Sequence, residues 1–329
     1  MARNKLVYLV VDTETATLPF ADDVAHGDHD KKKKIAIARP LTYNIGYTKV
    51  TRSGEILERK DFLITEIFSV PSVFNTAYYA EKRPIYLEKL ARGEIALVSW
   101  LEFRKIFLED LRECNAVGAF NSMFDFKKAI PFTDLYIKHL YSPDYTSWEE
   151  IQRKLCARIA NEPYRKDTEK DFEGDIFRFC GEEFPLFDLW GLATRHILNN
   201  STYKKECLAH ELLTNSGTFF KTSAESTYKY LCNKYDFEEA HTALEDAEIE
   251  SFILSKIAER HAITPGIEFF PFRNLGETID FCMRRKVPDI SECVVVYKAI
   301  ETYIEANPDT RYSAGLTNKL NRLAEYMGI

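Results

Sequence analysis

The stretch Leu6-Val7-Tyr8-Leu9-Val10-Val11 runs directly into Asp12-Thr13-Glu14. A short, continuous apolar run rich in valine predicts a buried strand, and its abrupt charged end is unlike the small-residue cleavage site of a signal peptide. Residues two apart on a strand project to the same side. Asp12 and Glu14 are therefore expected to point the same way at the edge of an apolar core. Two such carboxylates repel each other and lose hydration, so either their pKa values rise or a cation sits between them. A strand end opening into solvent would carry the same pair at little cost, and the spacing alone does not separate the two readings.

Around this strand the chain reads as α/β. Strands are expected over Thr42–Thr51 and Glu55–Ile64, with Ser53-Gly54 turning a hairpin between them, so the first three strands form an antiparallel meander. Val73–Gly93 is mostly helical, with turn chemistry at Pro84 and Gly93. Ser99 caps a helix that buries Leu101, Phe103, Ile106, Phe107, Leu108 and Leu111. Short strands follow at Ala116–Phe120 and Phe184–Leu189, then a helix near Leu192–Leu198. A last strong helix, Leu244–Arg260, has Ile249, Phe252, Ile253 and Ile257 on one face. Residues 19–39 and 131–183 read as insertions. The first holds Lys31 to Lys34 and the run His26-Gly27-Asp28-His29-Asp30, which reads as a solvated loop. The second holds one helix, Trp148–Ile159, and a charged loop, Arg165–Asp175. Thr264-Pro265-Gly266 marks a boundary, so a domain over 1–262 is expected with a small, mainly helical extension over 263–329.

With 45% hydrophobic and 29% charged residues among 329, the chain has an ordinary globular make-up. No apolar run is long enough to span a bilayer, so no membrane partner is expected. Seven cysteines are scattered without a C-x-x-C pair. A disulfide framework or zinc ribbon is not indicated, and a reducing cytoplasmic setting is expected. The net charge of −7 excludes a protein that coats nucleic acid through bulk charge. It leaves room for an enzyme that grips the end of one strand.

Two further carboxylates stand at helix starts. In Phe120-Asn121-Ser122-Met123-Phe124-Asp125, Asn121 is placed to cap a helix whose first turn or so carries Asp125; an acid stabilised by the helix dipole is the plainer explanation. In Ala240-His241-Thr242-Ala243-Leu244-Glu245-Asp246, Asp246 extends the stripe of Ile249 and Ile253 and so faces the core, where an unpaired carboxylate is costly. His241 lies five residues earlier, about 140° away on a continuous helix, and is better placed in the loop ahead of it. Lys127 and Lys128 are positioned to meet a phosphate backbone, or simply to form a solvated helix face. Asp188 reads as a capping or structural acid.

Taken in order, Asp12-x-Glu14 on the first strand, Asn121-x-x-Phe124-Asp125 after a central strand and His241-x4-Asp246 opening a late helix resemble the DEDDh branch of the DnaQ-like 3′→5′ exonucleases. The resemblance covers about residues 5 to 260. It implies a ribonuclease H-like fold, a mixed five-stranded sheet flanked by helices. It also implies two divalent ions, Mg²⁺ or Mn²⁺. Asp12 would bridge them, Glu14 and Asp246 would ligate the ion that activates water, Asp125 would support the other, and His241 would be the general base. Hard oxygen ligands suit these ions, and two metals ~3.5–4 Å apart can stabilise both oxygens of a phosphodiester displacement. The expected substrate is a single-stranded nucleic-acid 3′ end, DNA favoured, released as nucleoside monophosphates, with Thr13, Thr15, Asn121 and Phe124 as binders of the terminal nucleotide. The chain departs from the family pattern in having Ala16-Thr17-Leu18 where many relatives carry a glycine, and Phe120 where some carry a histidine. An RNA-trimming exoribonuclease and a non-catalytic module that binds a partner or a nucleic-acid end are the alternatives. The residues leave open whether 263–329 recruits a replication or repair protein.

Overall fold

The valine-rich run forms the middle strand of the sheet. A computed structural model describes residues 6–17, 40–141, 176–214, 220–266, 279, 280, 283, 290–306, 308 and 311–329. In it β1 (Val7–Ala16) pairs antiparallel with β2 (Leu41–Thr51), which pairs antiparallel with β3 (Ile56–Ile64). This is the expected meander, and β2 is buried along its whole length. Gly54 turns the hairpin at φ +85°, a left-handed conformation that favours glycine.

Four shorter strands complete the sheet: β4 (Ala96–Val98), β5 (Ala116–Ala119), β6 (Ile176–Phe179) and β7 (Glu182–Asp188). The order is β4-β3-β2-β1-β5-β7-β6, a mixed α/β sheet of seven strands where five were expected. The two extra strands lie at the edges. β4 has only three residues, of which Ala96 and Leu97 are exposed, so it shows no alternating pattern. β6 joins β7 through Cys180-Gly181, both at positive φ, the two-residue turn that matches strand twist.

Helix α1 (Arg83–Arg92) has Pro84 in its first turn and Gly93 at its C-cap with φ +71°. Helix α2 (Trp100–Glu113) is capped as expected: Ser99 Oγ accepts from the Glu102 amide at 3.2 Å. Phe103, Phe107 and Leu111 are buried, but Leu101 is 59% exposed because it falls off the stripe those three define. Helix α3 begins with Ser122–Phe124, continues as a π-helical turn over Asp125–Ala129 and ends with Ile130–Leu140. Pro131–Leu140 thus belongs to a helix of the main layer and not to an insertion. The segment 19–39, with Lys31–Lys34 and His26–Asp30, the helix expected at Trp148–Ile159 and the loop at Arg165–Asp175 lie outside the described residues.

Contacts divide the chain into two compact units, Met1–Leu189 with Glu239–Glu268, and Trp190–Glu238 with Phe269–Ile329. The second contains α4 (Ser201–Ala209) and α5 (Ala224–Cys232); the first then resumes with α6 (Ala243–Ala258). The last helices, α7 (Ile290–Ala306) and α8 (Arg311–Met327), pair with each other, and α4 packs on α7. The helical extension is present, but it clusters with residues 190–238, a discontinuous grouping that a single boundary at 262 does not express. Among the described residues no helix is long and apolar enough to cross a membrane.

Candidate metal centre

The acids sit where β1 outruns its neighbour. β5 pairs with β1 only over Tyr8–Val10, while β1 continues to Ala16. The π-helical turn of α3 meets β1 beyond Val10, where Thr13 bonds to Asp125, and α6 packs across β1 and β2. Asp12 and Glu14 therefore lie within the strand, opposite Gly46 and Asn44, and not at its end as expected. Bulk packed on both sides lets the strand continue through them.

Two residues of β2 seat α6. A Cβ added to Gly46 would lie 2.1 Å from the Leu244 nitrogen, so the helix start rests directly on the strand backbone. Beside it, Asn44 Oδ1 accepts from the Ala243 amide at 3.0 Å, while Asn44 Nδ2 donates to Asp61 and to the Phe62 carbonyl. Thr242, at the N-cap position, makes no side-chain cap bond. Asn44 supplies that cap from across the sheet, satisfying one of the otherwise unpaired amides of the first turn. The seating brings Asp246, in the first turn of α6, over β1.

One carboxylate oxygen each from Asp12, Glu14 and Asp246 lies within 4.8 Å of the others. Asp246 is 6% exposed, and its Oδ1 is buried without a hydrogen-bond partner. Such an atom carries a desolvation cost of roughly 1–3 kcal/mol or more unless something positive meets it. Asp125 is also buried, and its Oδ1 accepts from Thr13 Oγ at 2.6 Å. One turn beyond Asp246, Glu250 is buried as well, and its Oε2 accepts from the Phe120 amide at 3.0 Å.

This crowding shows in the proton affinities. Burial pushes Asp246 up to about 9, with Glu239 and Glu14 adding to it and Lys82 opposing. Burial raises Glu14 to about 8, which Lys82 partly offsets while Glu239 and Asp125 add to the rise. Asp125 is raised to about 7 by burial, held back by its bond from Thr13. Asp12 and Glu250 are driven well above the carboxylate range, first by burial, then by Glu250 for Asp12 and by Asp125 for Glu250. The folded chain therefore holds protons that the unfolded chain releases. For such groups stability is fully present below the unfolded pKa of about 4 and is lost as pH rises through the folded values. The melting temperature of metal-free protein is expected to fall between about pH 5 and pH 9, and added Mg²⁺ or Mn²⁺ should raise it more at the alkaline end. A pH-independent melting temperature over that window, with no metal effect, would contradict the assignment of these shifts.

His241 borders the same acids on a loop of unusual backbone. Its φ is +51°, in the left-handed region that non-glycine residues seldom adopt. The ring stacks on Tyr79 at 4.6 Å and 13°, and Nδ1 lies 3.7 Å from Glu239 Oε2. Lys82 Nζ donates to the Ala240 carbonyl at 2.6 Å and lies over the Tyr79 ring. The segment from Tyr79 to Lys82 thus holds both the ring and the backbone of this loop.

The proposed substrate contacts are placed unevenly. Thr13 is 6% exposed and its hydroxyl is committed to Asp125. Thr15 is half-buried beside a bulge after Glu14, and Phe124 is half-buried. Asn121 is exposed at φ +71° and makes no side-chain cap bond; Asp188 Oδ1 accepts from the Ser122 amide instead, the capping role expected of that acid. Lys127 donates to the Ile176 carbonyl at 2.7 Å, which ties it to β6. Glu250, Glu239, Tyr79 and Lys82 were not singled out in the sequence. Only Glu250 carried a legible signal there, since it stands four residues after Asp246 between Ile249 and Ile253. No protein-family profile, curated protein or solved structure matches this chain.

Proposed function

We propose that the chain is a metal-dependent 3′→5′ exonuclease of the DEDDh type, acting on single-stranded nucleic acid. One observation carries the reading: a carboxylate oxygen from each of Asp12, Glu14 and the buried Asp246 lies within 4.8 Å of the others, and His241 groups with the same Asp246. An all-oxygen donor set fits Mg²⁺ or Mn²⁺. When bound, a pair of such ions would supply positive charge for the attacking and leaving oxygens of a phosphodiester.

The chain's own residues divide the remaining work. Asp12, Glu14 and Asp246 would hold an ion between them. Asp125, with Oδ1 fixed by Thr13, would serve the other side of Asp12. His241 presents a partly exposed imidazole, held in place by Tyr79, to take the proton of the attacking water. Tyr78, 86% exposed and edge-on to Tyr79 at 4.8 Å, offers a face on which an unpaired base can stack.

His241→Ala is expected to lower kcat by about 10²–10⁴-fold, the range for loss of a positioned general base, while leaving Mn²⁺ affinity of the oxygen set within a few-fold. The direct test is the product. An oligonucleotide with a free 3′ end should yield nucleoside monophosphates in Mg²⁺ and none in chelator, and a 3′ block should stop the reaction where a 5′ block does not. Products unaffected by the 3′ block would rule the reading out.

A further inference from the structure

We propose that Glu239, His241 and Asp246 form a second, nitrogen-containing cation site that takes zinc and overlaps the all-oxygen set at Asp246. Ligand atoms of these three side chains lie within 4.8 Å of one another. The side chain that the two groups share carries the second observation. Asp246 is 6% exposed, and its buried Oδ1 has no hydrogen-bond partner.

The His241–Glu239 spacing supports the same conclusion. Nδ1 lies 3.7 Å from Oε2, within ion-pair reach. Two zinc bonds of ~2.1 Å at a tetrahedral angle put their donors about 3.4 Å apart, so a small adjustment brings both onto one ion. The ligands are also held before any ion arrives. Tyr79 stacks on the imidazole, Lys82 ties the backbone at Ala240, and the Glu239 side chain is only 12% exposed. One nitrogen and two carboxylates suit zinc, which accepts imidazole readily, whereas Mg²⁺ demands oxygen.

The consequence rests on the exonuclease reading; the binding does not. Zinc here engages the imidazole that would accept the water proton and an oxygen of Asp246 that the hard-ion set needs. Zinc is therefore an inhibitor that excess Mg²⁺ relieves poorly, because the imidazole gives zinc the stronger hold on the shared Asp246.

The test is calorimetric titration of the metal-free full chain with zinc, for wild type, Glu239→Gln and His241→Gln, with cobalt(II) absorption as a second readout. The expected result is one strong site whose affinity falls at least about tenfold in both variants, with nitrogen–oxygen and no thiolate charge-transfer bands for cobalt. Glu239→Gln, which keeps the size of the side chain, should need about tenfold more zinc to lose half of its own activity in Mg²⁺. Equal zinc affinity in all three proteins, or no zinc binding by wild type, would overturn the site. A chain that binds zinc as described yet cleaves no strand would refute the exonuclease reading and leave the site standing.

Discussion

Replacing Asp246 with Asn should raise the melting temperature of the metal-free protein while lowering kcat of the proposed exonuclease by about 10³-fold or more, roughly 4 kcal/mol of transition-state stabilisation. The two effects have one cause. Asp246 is buried among Glu239, Glu14 and Glu245, and its carboxyl is pushed up to about 9. Above about pH 4 folding therefore costs proton uptake or charge burial at this position. An amide of the same shape removes that cost and also removes the proposed metal ligand. Each kcal/mol relieved corresponds to about 2–4 °C for a domain of this size, and the gain should grow from about pH 5 to about pH 9. The stabilisation by Mn²⁺ expected for wild type should shrink in parallel. A variant that melts lower than wild type without metal would show that Asp246 anchors the fold, and the argument from its unpartnered oxygen would fail.

Gly46→Ala should damage both stability and activity although Gly46 carries no chemistry. The added methyl would meet the backbone of Ala243 and Leu244 at 2.1–2.4 Å, and backbone atoms cannot swing aside as a flexible side chain can. The start of α6 must lift off β2, which strains the Asn44–Ala243 cap and moves Asp246 away from Asp12 and Glu14. Overpacking of this kind costs about 3 kcal/mol, roughly 6–12 °C in melting temperature. A misplacement near 1 Å at the ligands can cost about 10²-fold in rate. Thermal melting together with kcat in saturating Mg²⁺ checks it. Wild-type values for both would mean that α6 is not seated on Gly46.

Much of the candidate centre's arrangement was legible in the sequence because its residues obey short-range rules. The two-residue spacing of Asp12 and Glu14 holds on a real strand, and the helical spacing of Asp246 with Ile249 and Ile253 put that acid on the buried side of α6. Other features are tertiary. Glu250 could be placed on the same helix face, but that its partner is the Phe120 amide depends on how β5 ends beside α6. Tyr79 and Lys82 reach His241 from more than 150 residues away, and no local pattern marks them. Thr13 shows the reverse case. Strand alternation sets its side chain off from Asp12 and Glu14, yet it meets Asp125 because α3 begins beside that part of β1. The edge strands β4 and β6 were missed because three or four residues are too few to show a period.

The central claim is a hydrolase whose metal-held acids remove nucleotides from a 3′ end. It is tested most directly with 5′-labelled single-stranded DNA and RNA of matched sequence, incubated in Mg²⁺, Mn²⁺ or chelator with wild type and Asp12→Ala. The predicted result is a ladder that shortens stepwise from the 3′ end, lost in chelator and reduced at least about 10³-fold in the variant. Full-length strands under every metal, or a ladder that persists undiminished in Asp12→Ala, would contradict it.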